Sequence, residues 1–192
     1  MTPEGRAPAA TQRLFFALWP DEAARLALEA ATDRAVRRCG GRPVPAANLH
    51  VTLMFLGSVA SERLSEVQSL ARAVAAACVQ EQPLALTFDR LVHWSVPHIL
   101  CALAQAPDAA GRLAAALKDV AAAAGFTPDL KPFRAHVTVA RKVLHAAHLP
   151  ALRPVAWHFA DFALIDSRTE PSGPVYSVME SYPLVKSEKA RE

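Results

Sequence analysis

The apolar positions of this chain fall into three stretches of helical period, separated by runs that alternate or are apolar throughout. Residues 13–19, Arg13-Leu14-Phe15-Phe16-Ala17-Leu18-Trp19, form a compact apolar run closed by Pro20, the pattern of a buried strand. Asp21 then offers a helix cap, and the Ala-, Arg- and Glu-rich segment to about Arg38 has helical propensity until Cys39-Gly40-Gly41 stops it. Arg42-Pro43-Val44-Pro45 must be extended, since its prolines exclude helix. A strand over 48–57 follows. Ser61 opens a second helix in which Leu64, Val67, Leu70 and Val74 recur at three- and four-residue steps.

Beyond Pro83 the period changes to that of strands over 84–91 and 98–104, with 92–97 as their hairpin connection. A third helix begins at Asp108 or Ala109, carries Leu113, Leu117 and Val120, and ends at Gly125. The segment 127–134, with two prolines, leads into another strand at 136. Late in the chain, 155–167 and 174–183 read as two strands joined by a Glu170-Pro171-Ser172-Gly173 turn. Three helices and about seven strands make an α+β fold. Helix, proline-bearing lead-in and strand occur twice in that order, which predicts an internal duplication with two sheets facing across a cleft.

Composition narrows the class without choosing a function. A chain of 192 residues, 52% hydrophobic and 20% charged, is long enough to bury a substantial core. We expect one domain over 12–186, with 1–11 and 187–192 as flexible termini. A net charge of +3 permits a polyanionic ligand without demanding one. Cys39, Cys78 and Cys101 are odd in number, widely spaced and unlike a metal clamp or a disulfide framework, so a reducing cytoplasm is the expected compartment. No leader peptide or membrane span is evident.

The candidate chemistry lies in a repeated tripeptide. His50-Val51-Thr52 comes back as His136-Val137-Thr138, 86 positions later. With seven His, eight Thr and seventeen Val in the chain, shuffling would give about 0.03 copies of His-Val-Thr, so two copies carry information that one would not. On a strand, His50 and Thr52 point to one face and Val51 to the other, and the same holds for His136 and Thr138. A lone His in an apolar strand is usually structural. Two in matching contexts point to paired proton transfer at a phosphodiester, one imidazole as base and one as acid, with the Thr hydroxyls donating to non-bridging oxygens. Such a scheme calls for no metal and no cofactor. The acid's pKa is expected to be raised beside the phosphate anion.

Around the second motif, residues 131–142 carry four cations, Lys131, Arg134, Arg141 and Lys142, for which phosphate attraction competes with a solvated strand edge, and Lys131, Arg134 and Arg141 are the candidate phosphate contacts. Strict alternation sends Arg141 to the face opposite His136, so its role requires a bulge. Phe15 is a candidate substrate contact. His93 and His98 flank the hairpin near Trp94, while His145, His148 and His158 have no motif around them and read as surface residues. Two rival readings remain. A non-catalytic RNA-binding module would use Phe15, Phe16 and Phe55 for stacking, although they do not form an RNP-type arrangement. A histidine-ligated metalloenzyme lacks a carboxylate at the spacing of HExxH.

The two His-x-Thr motifs, with Arg13-Leu14-Phe15-Phe16-Ala17 ahead, Asn48-Leu49-His50 at the first and Lys131-Pro132-Phe133 before the second, resemble the two-histidine (2H) phosphoesterases. More closely, the chain is similar to the bacterial RNA 2′,3′-cyclic phosphodiesterases, historically called 2′-5′ RNA ligases. The resemblance runs from about Arg13 to Lys186 and includes Phe162-Ala163-Leu164 and Pro174-Val175-Tyr176. It departs from the family at Ala135, where proline is common, and at Lys131, where arginine is. It implies a bilobal fold of two antiparallel sheets with helices outside and a central cleft. It also implies metal-independent opening of a cyclic phosphate to a 2′-phosphate, with His50 as proton donor and His136 as proton acceptor, and reversible 2′-5′ ligation alongside. The expected partner is RNA with a 2′,3′-cyclic phosphate end, or a small cyclic nucleotide, taken by a cytoplasmic monomer.

Overall fold

The computed structural model describes residues 10–105, 108–129, 131–146, 148–171 and 173–186. Among them the elements run β1 (Thr11–Leu18), α1 (Glu22–Arg38), β2 (Arg42–Pro43), β3 (Val51–Ala60), α2 (Leu64–Ala77), β4 (Leu84–Trp94), β5 (Ile99–Gln105), α3 (Asp108–Ala123), β6 (His136–Arg141), β7 (Val155–Phe159), β8 (Asp161–Glu170) and β9 (Gly173–Pro183). Two antiparallel sheets result, ordered β3-β1-β8-β9 and β2-β6-β5-β4-β7.

The duplication is visible in those orders. In each half a strand leads through a helix to its antiparallel neighbour, β1 through α1 to β3 and β5 through α3 to β6, and that neighbour carries a His-Val-Thr motif. The helices then cross over: α1 packs on β6 and β7 of the second sheet, whereas α3 packs on β3 of the first. Trp157 on β7 fixes one such contact by donating its Nε1–H to the Ala24 carbonyl at 2.8 Å. One continuous core therefore unites both halves.

The uninterrupted apolar run of β1 has a physical cause. Leu14, Phe16 and Leu18 enter the main core, while Phe15 and Ala17 join Ala163 and Ile165 in a small second cluster against Trp19 and Tyr176. Burying a phenyl ring is worth roughly 1.5–3 kcal/mol, and β1 gains on both faces. Helix α1 starts as its sequence dictates, with Asp21 Oδ1 accepting from the Ala24 amide at 2.7 Å, a cap worth about 1 kcal/mol.

Three expectations need correction. The single strand over 155–167 is two, parted at Ala160: β7 belongs to the second sheet and β8 to the first. Burial alternates before that point, with Trp157 and Phe159 buried and His158 exposed, and is continuous after it from Phe162 to Asp166. The strand over 84–91 continues to Trp94, which leaves only residues 95–98 for the hairpin turn. Ala10 and Thr11 are anchored, since the Ser61 amide and hydroxyl both donate to the Ala10 carbonyl at 2.9 Å. The remaining terminal residues, 1–9 and 187–192, and Ser172 of the expected turn lie outside the described residues.

Candidate active site

Each motif histidine is locked by its own approach to the strand. Before β3, Pro45 begins a 3-10 turn over Ala46–Asn48, closed by the Asn48 amide donating to the Pro45 carbonyl at 2.8 Å. The turn aims the Asn48 carbonyl at His50, whose Nδ1–H donates to it at 2.7 Å. His136 repeats this bond, Nδ1–H to the Arg134 carbonyl, also at 2.7 Å. Because a carbonyl only accepts, the proton in both neutral rings sits on Nδ1. Nε2 is then the atom each ring presents for proton transfer. The Asn48 side chain donates to the Pro174 carbonyl at 2.9 Å, tying this turn to the β8–β9 hairpin.

His50, Thr52, His136 and Thr138 line one cavity of about 690 Å³ between the sheets, together with Asn48, Phe55, Arg141 and Tyr176. Among the described residues its wall carries no carboxylate. Thr52 Oγ1 lies 3.1 Å from His50 Nε2. Thr138 Oγ1 lies 3.9 Å from the Cys101 thiol. Burial pushes that thiol up to about 12, so it remains a protonated, inert wall.

The two imidazoles have different surroundings. His50 is boxed by Phe15 (5.1 Å between ring centroids), Trp19 (5.4 Å, stacked) and Tyr176 (5.3 Å, edge-on). The Arg25 guanidinium lies 4.7 Å from the centroid of the Trp19 ring. Burial, followed by the positive fields of Arg141, His136 and Arg25, pushes the His50 pKa down to about 4 despite the Asn48 carbonyl. His136 has one ring neighbour, Trp94 at 4.6 Å. Its pKa is also lowered, by burial and then by Arg134, with the Arg134 carbonyl opposing. Free of ligand, both histidines are held neutral more strongly than an exposed imidazole. The raised acid expected from the sequence is one that stands beside the phosphate anion, whose negative charge opposes these shifts.

Of the other candidates, Arg141 joins the histidines. Leu100 pairs with Ala140 and Cys101 with Thr138, so Val139 is an extra residue. That bulge buries Val139 and Ala140 in succession and turns Arg141 onto the cleft face. Lys131 and Arg134 line an adjoining groove of about 630 Å³ on the other side of His136, with Trp94 and Phe133. There Arg134 lies 5.2 Å over Trp94 and Lys131 pairs with Asp129 at 3.6 Å. Phe15 is 1% exposed and lines neither cavity, so it supports the His50 ring and does not offer a substrate contact. His93 belongs to β4 and its Nε2 bonds the Val143 carbonyl at 2.9 Å, while His98, at the turn, lines neither cavity. His145, His148 and His158 are exposed.

Sequence reasoning missed Trp19, Tyr176 and Arg42 as site residues, all on the site's walls or against its imidazoles, whereas Lys142 of the cationic run lines the cavity with Arg141. Only Trp19 left a signal, a large aromatic placed at the end of the motif's neighbouring strand.

The LigT-like phosphoesterase family profile matches residues 18–101 and 103–176. An RNA 2′,3′-cyclic phosphodiesterase of Thermus thermophilus is 32% identical over 186 residues, covering 94% of this chain and 93% of its own. Its Escherichia coli counterpart is 32% identical over 142 residues, 72% of this chain and 77% of its own. A crystal structure of E. coli LigT complexed with 3′-AMP superposes with a TM-score of 0.81 at 27% identity, covering 91% of this chain and 99% of that one. Fold, paired imidazoles and sequence agree: this chain belongs to the LigT-like, two-histidine phosphoesterase family.

Proposed function

We propose that the protein hydrolyses RNA 2′,3′-cyclic phosphate ends to 2′-phosphates, using His136 as base and His50 as acid. The observation that carries this reading is the matched anchoring of the two rings. Both donate Nδ1–H to the carbonyl two residues back at 2.7 Å, which leaves Nε2 as the proton-exchanging atom of each ring, and both rings line one cavity.

The step balances as follows. A water O–H proton passes to His136 Nε2 while the oxygen attacks phosphorus. The P–O3′ bond breaks, and O3′ takes the proton from His50 Nε2. His50 must therefore arrive protonated, and the cyclic phosphate anion supplies a negative charge that favours imidazolium. Protonation also changes the role of Thr52. While His50 is neutral, the Thr52 hydroxyl donates to Nε2; once Nε2 carries a proton, that hydroxyl turns to a non-bridging oxygen, as Thr138 does from the other sheet. A 5′-hydroxyl in place of water gives 2′-5′ ligation by the same proton movements.

The family, the 3′-AMP complex of the E. coli relative and the names of the curated relatives support an RNA end or nucleotide as substrate. Among the described residues no helix is long and apolar enough to cross a membrane, and no group of three or more His, Cys, Asp and Glu is placed to hold a metal ion. The three cysteines are free thiols, in keeping with a reducing cytoplasm. Incubation with 2′,3′-cyclic nucleotides and cyclic-ended oligonucleotides, with products resolved as 2′- or 3′-phosphates, tests the reading. A 2′-phosphate product is expected, with activity surviving chelation. Binding without turnover would instead favour an RNA-binding module.

A further inference from the structure

Three cations meet at one end of the catalytic cavity. Arg42 on β2 pairs directly with Arg141 on β6, and Lys142 follows in the left-handed region at φ 58°. All three line the cavity. Like charges directly opposite on antiparallel strands weaken the pairing, and a non-glycine residue at positive φ is strained. Two unfavourable choices thus coincide at one point of the wall. Among the described residues neither Arg141 nor Lys142 has an ion-pair partner. Arg42 also reaches toward the other sheet: its Nη2 lies 3.8 Å from the place a Cβ on Gly173 would occupy.

A cyclic phosphate carries a single negative charge, and two imidazoles, two hydroxyls and Arg141 already face it. Of the three cations, Arg141 is the one whose field acts on His50. Arg42 stands opposite it on β2 and Lys142 follows it in the chain, so all three cations share one stretch of the cavity wall. The place and sign of Arg42 and Lys142 fit a second anion carried by the same substrate. On a nucleotide chain the next anion is the phosphoryl group on the 5′ oxygen of the terminal nucleoside.

We propose that Arg42 and Lys142 bind the phosphoryl group 5′ to the nucleoside bearing the cyclic phosphate, so that the end of a nucleotide chain is preferred to a plain nucleoside 2′,3′-cyclic phosphate. This rests on the cyclic phosphodiesterase reading above and narrows its substrate class.

Three substrates sharing one terminal base test the inference: the nucleoside 2′,3′-cyclic phosphate with a free 5′-hydroxyl, its 5′-phosphorylated form, and a dinucleotide ending in the cyclic phosphate. One charge-assisted hydrogen bond should make KM for the second and third about tenfold lower than for the first, with the gap narrowing as salt rises. In Arg42→Gln/Lys142→Gln the ratio between substrates should contract toward one, a comparison made within one variant and so independent of how much of it folds. A gain for the dinucleotide alone identifies the diester of a chain as the ligand; a gain for both shows that the 5′-phosphoryl group suffices. Binding of a nucleoside 2′,5′-bisphosphate against its 2′-phosphate, measured by calorimetry, should show the same preference without turnover. Equal KM and equal affinity across each set, or a ratio undiminished in the double variant, would overturn the inference while leaving the phosphodiesterase reading intact. Turnover of none of the three would overturn both.

Discussion

Phe55 and Arg141 occupy the same place relative to the two histidines, five residues beyond each, because both motif strands bulge at the residue after the threonine. On β3 the register passes from Thr52 to Met54 against Ala17 and Phe16, leaving Leu53 extra; on β6 it passes from Thr138 to Ala140, leaving Val139 extra. Each bulge sends two successive residues into the core and returns the next to the cavity wall. The duplicated halves therefore offer unlike groups at matched positions, a half-exposed phenyl ring from one sheet and a guanidinium from the other. An asymmetric ligand, charged at one side and flat and apolar at the other, fits such a wall.

His50→Ala and His136→Ala should each lower kcat by about 10²–10⁴, the usual worth of one positioned proton transfer. If the two act as a unit, the double variant should be little worse than either single one. Steady-state kinetics on a cyclic-ended substrate, with circular dichroism as a check on folding, decides this. Near wild-type turnover in either single variant would remove the paired mechanism.

Thr52→Val and Thr138→Val should each cost about 2–4 kcal/mol of transition-state stabilisation at most, by analogy with oxyanion donors. They should differ in one respect. Thr52 contacts His50 Nε2 at 3.1 Å, so its loss should also move the His50 titration, seen by NMR of the imidazole. Loss of Thr138, whose Oγ1 lies 3.9 Å from the Cys101 thiol on the other sheet from His50, should leave that titration in place.

How much of this could be read in the chain beforehand follows from which interactions are local. The His-Val-Thr faces, the Asp21 cap and the breaks at Pro20 and Gly125 depend on neighbours a few residues away, and the structure keeps them. The placement of Arg141 does not, because a bulge is defined by counting against a partner strand, and alternation within β6 alone assigns the wrong face. Phe15 was legible as a buried strand residue, but whether it touches ligand or imidazole depends on β3 lying beside it. Trp19 and Tyr176 reach His50 from β1's end and from β9, pairings that no local pattern encodes. The split of 155–167 was legible in principle, since alternation up to Phe159 gives way to the unbroken apolar run 162–165.

Lys142→Gly should stabilise the fold while removing a cation. Lys142 is exposed and sits at φ 58°, where a side chain costs roughly 1–2 kcal/mol. Glycine's looser unfolded chain offsets part of that gain. A net gain of about 1 kcal/mol corresponds to a Tm increase of about 2–4 °C for a chain of this size. An unchanged or lower Tm would mean that the lysine side chain makes compensating contacts.

The pH dependence gives the most demanding check on the two roles. In the unliganded protein His50 is pushed down to about 4 and His136 is also lowered. kcat/KM reports the free enzyme, so its bell should be centred below the ordinary histidine value of about 6.5. Once the substrate anion lies between the rings, it favours both imidazolium forms, and the kcat profile should sit at higher pH than that of kcat/KM. The two limbs belong to the coupled pair and not to single residues. Arg141→Ala should move both the profile and the His50 titration upward, because it removes one of the positive fields that hold His50 neutral. Linkage fixes the sign for stability. Below about pH 6.5 the unfolded chain binds a proton at His50 that the folded protein refuses until about pH 4, so this group makes stability decrease as the pH is lowered across that window and rise as the pH is raised. His50→Phe, which has no proton to refuse, should flatten that part of the Tm-against-pH curve. The roles themselves separate by leaving group: a substrate with a better 3′ leaving group should rescue His50→Ala, which lacks the acid, and not His136→Ala, which lacks the base. Rescue of His136→Ala alone would keep the site and exchange the two assignments.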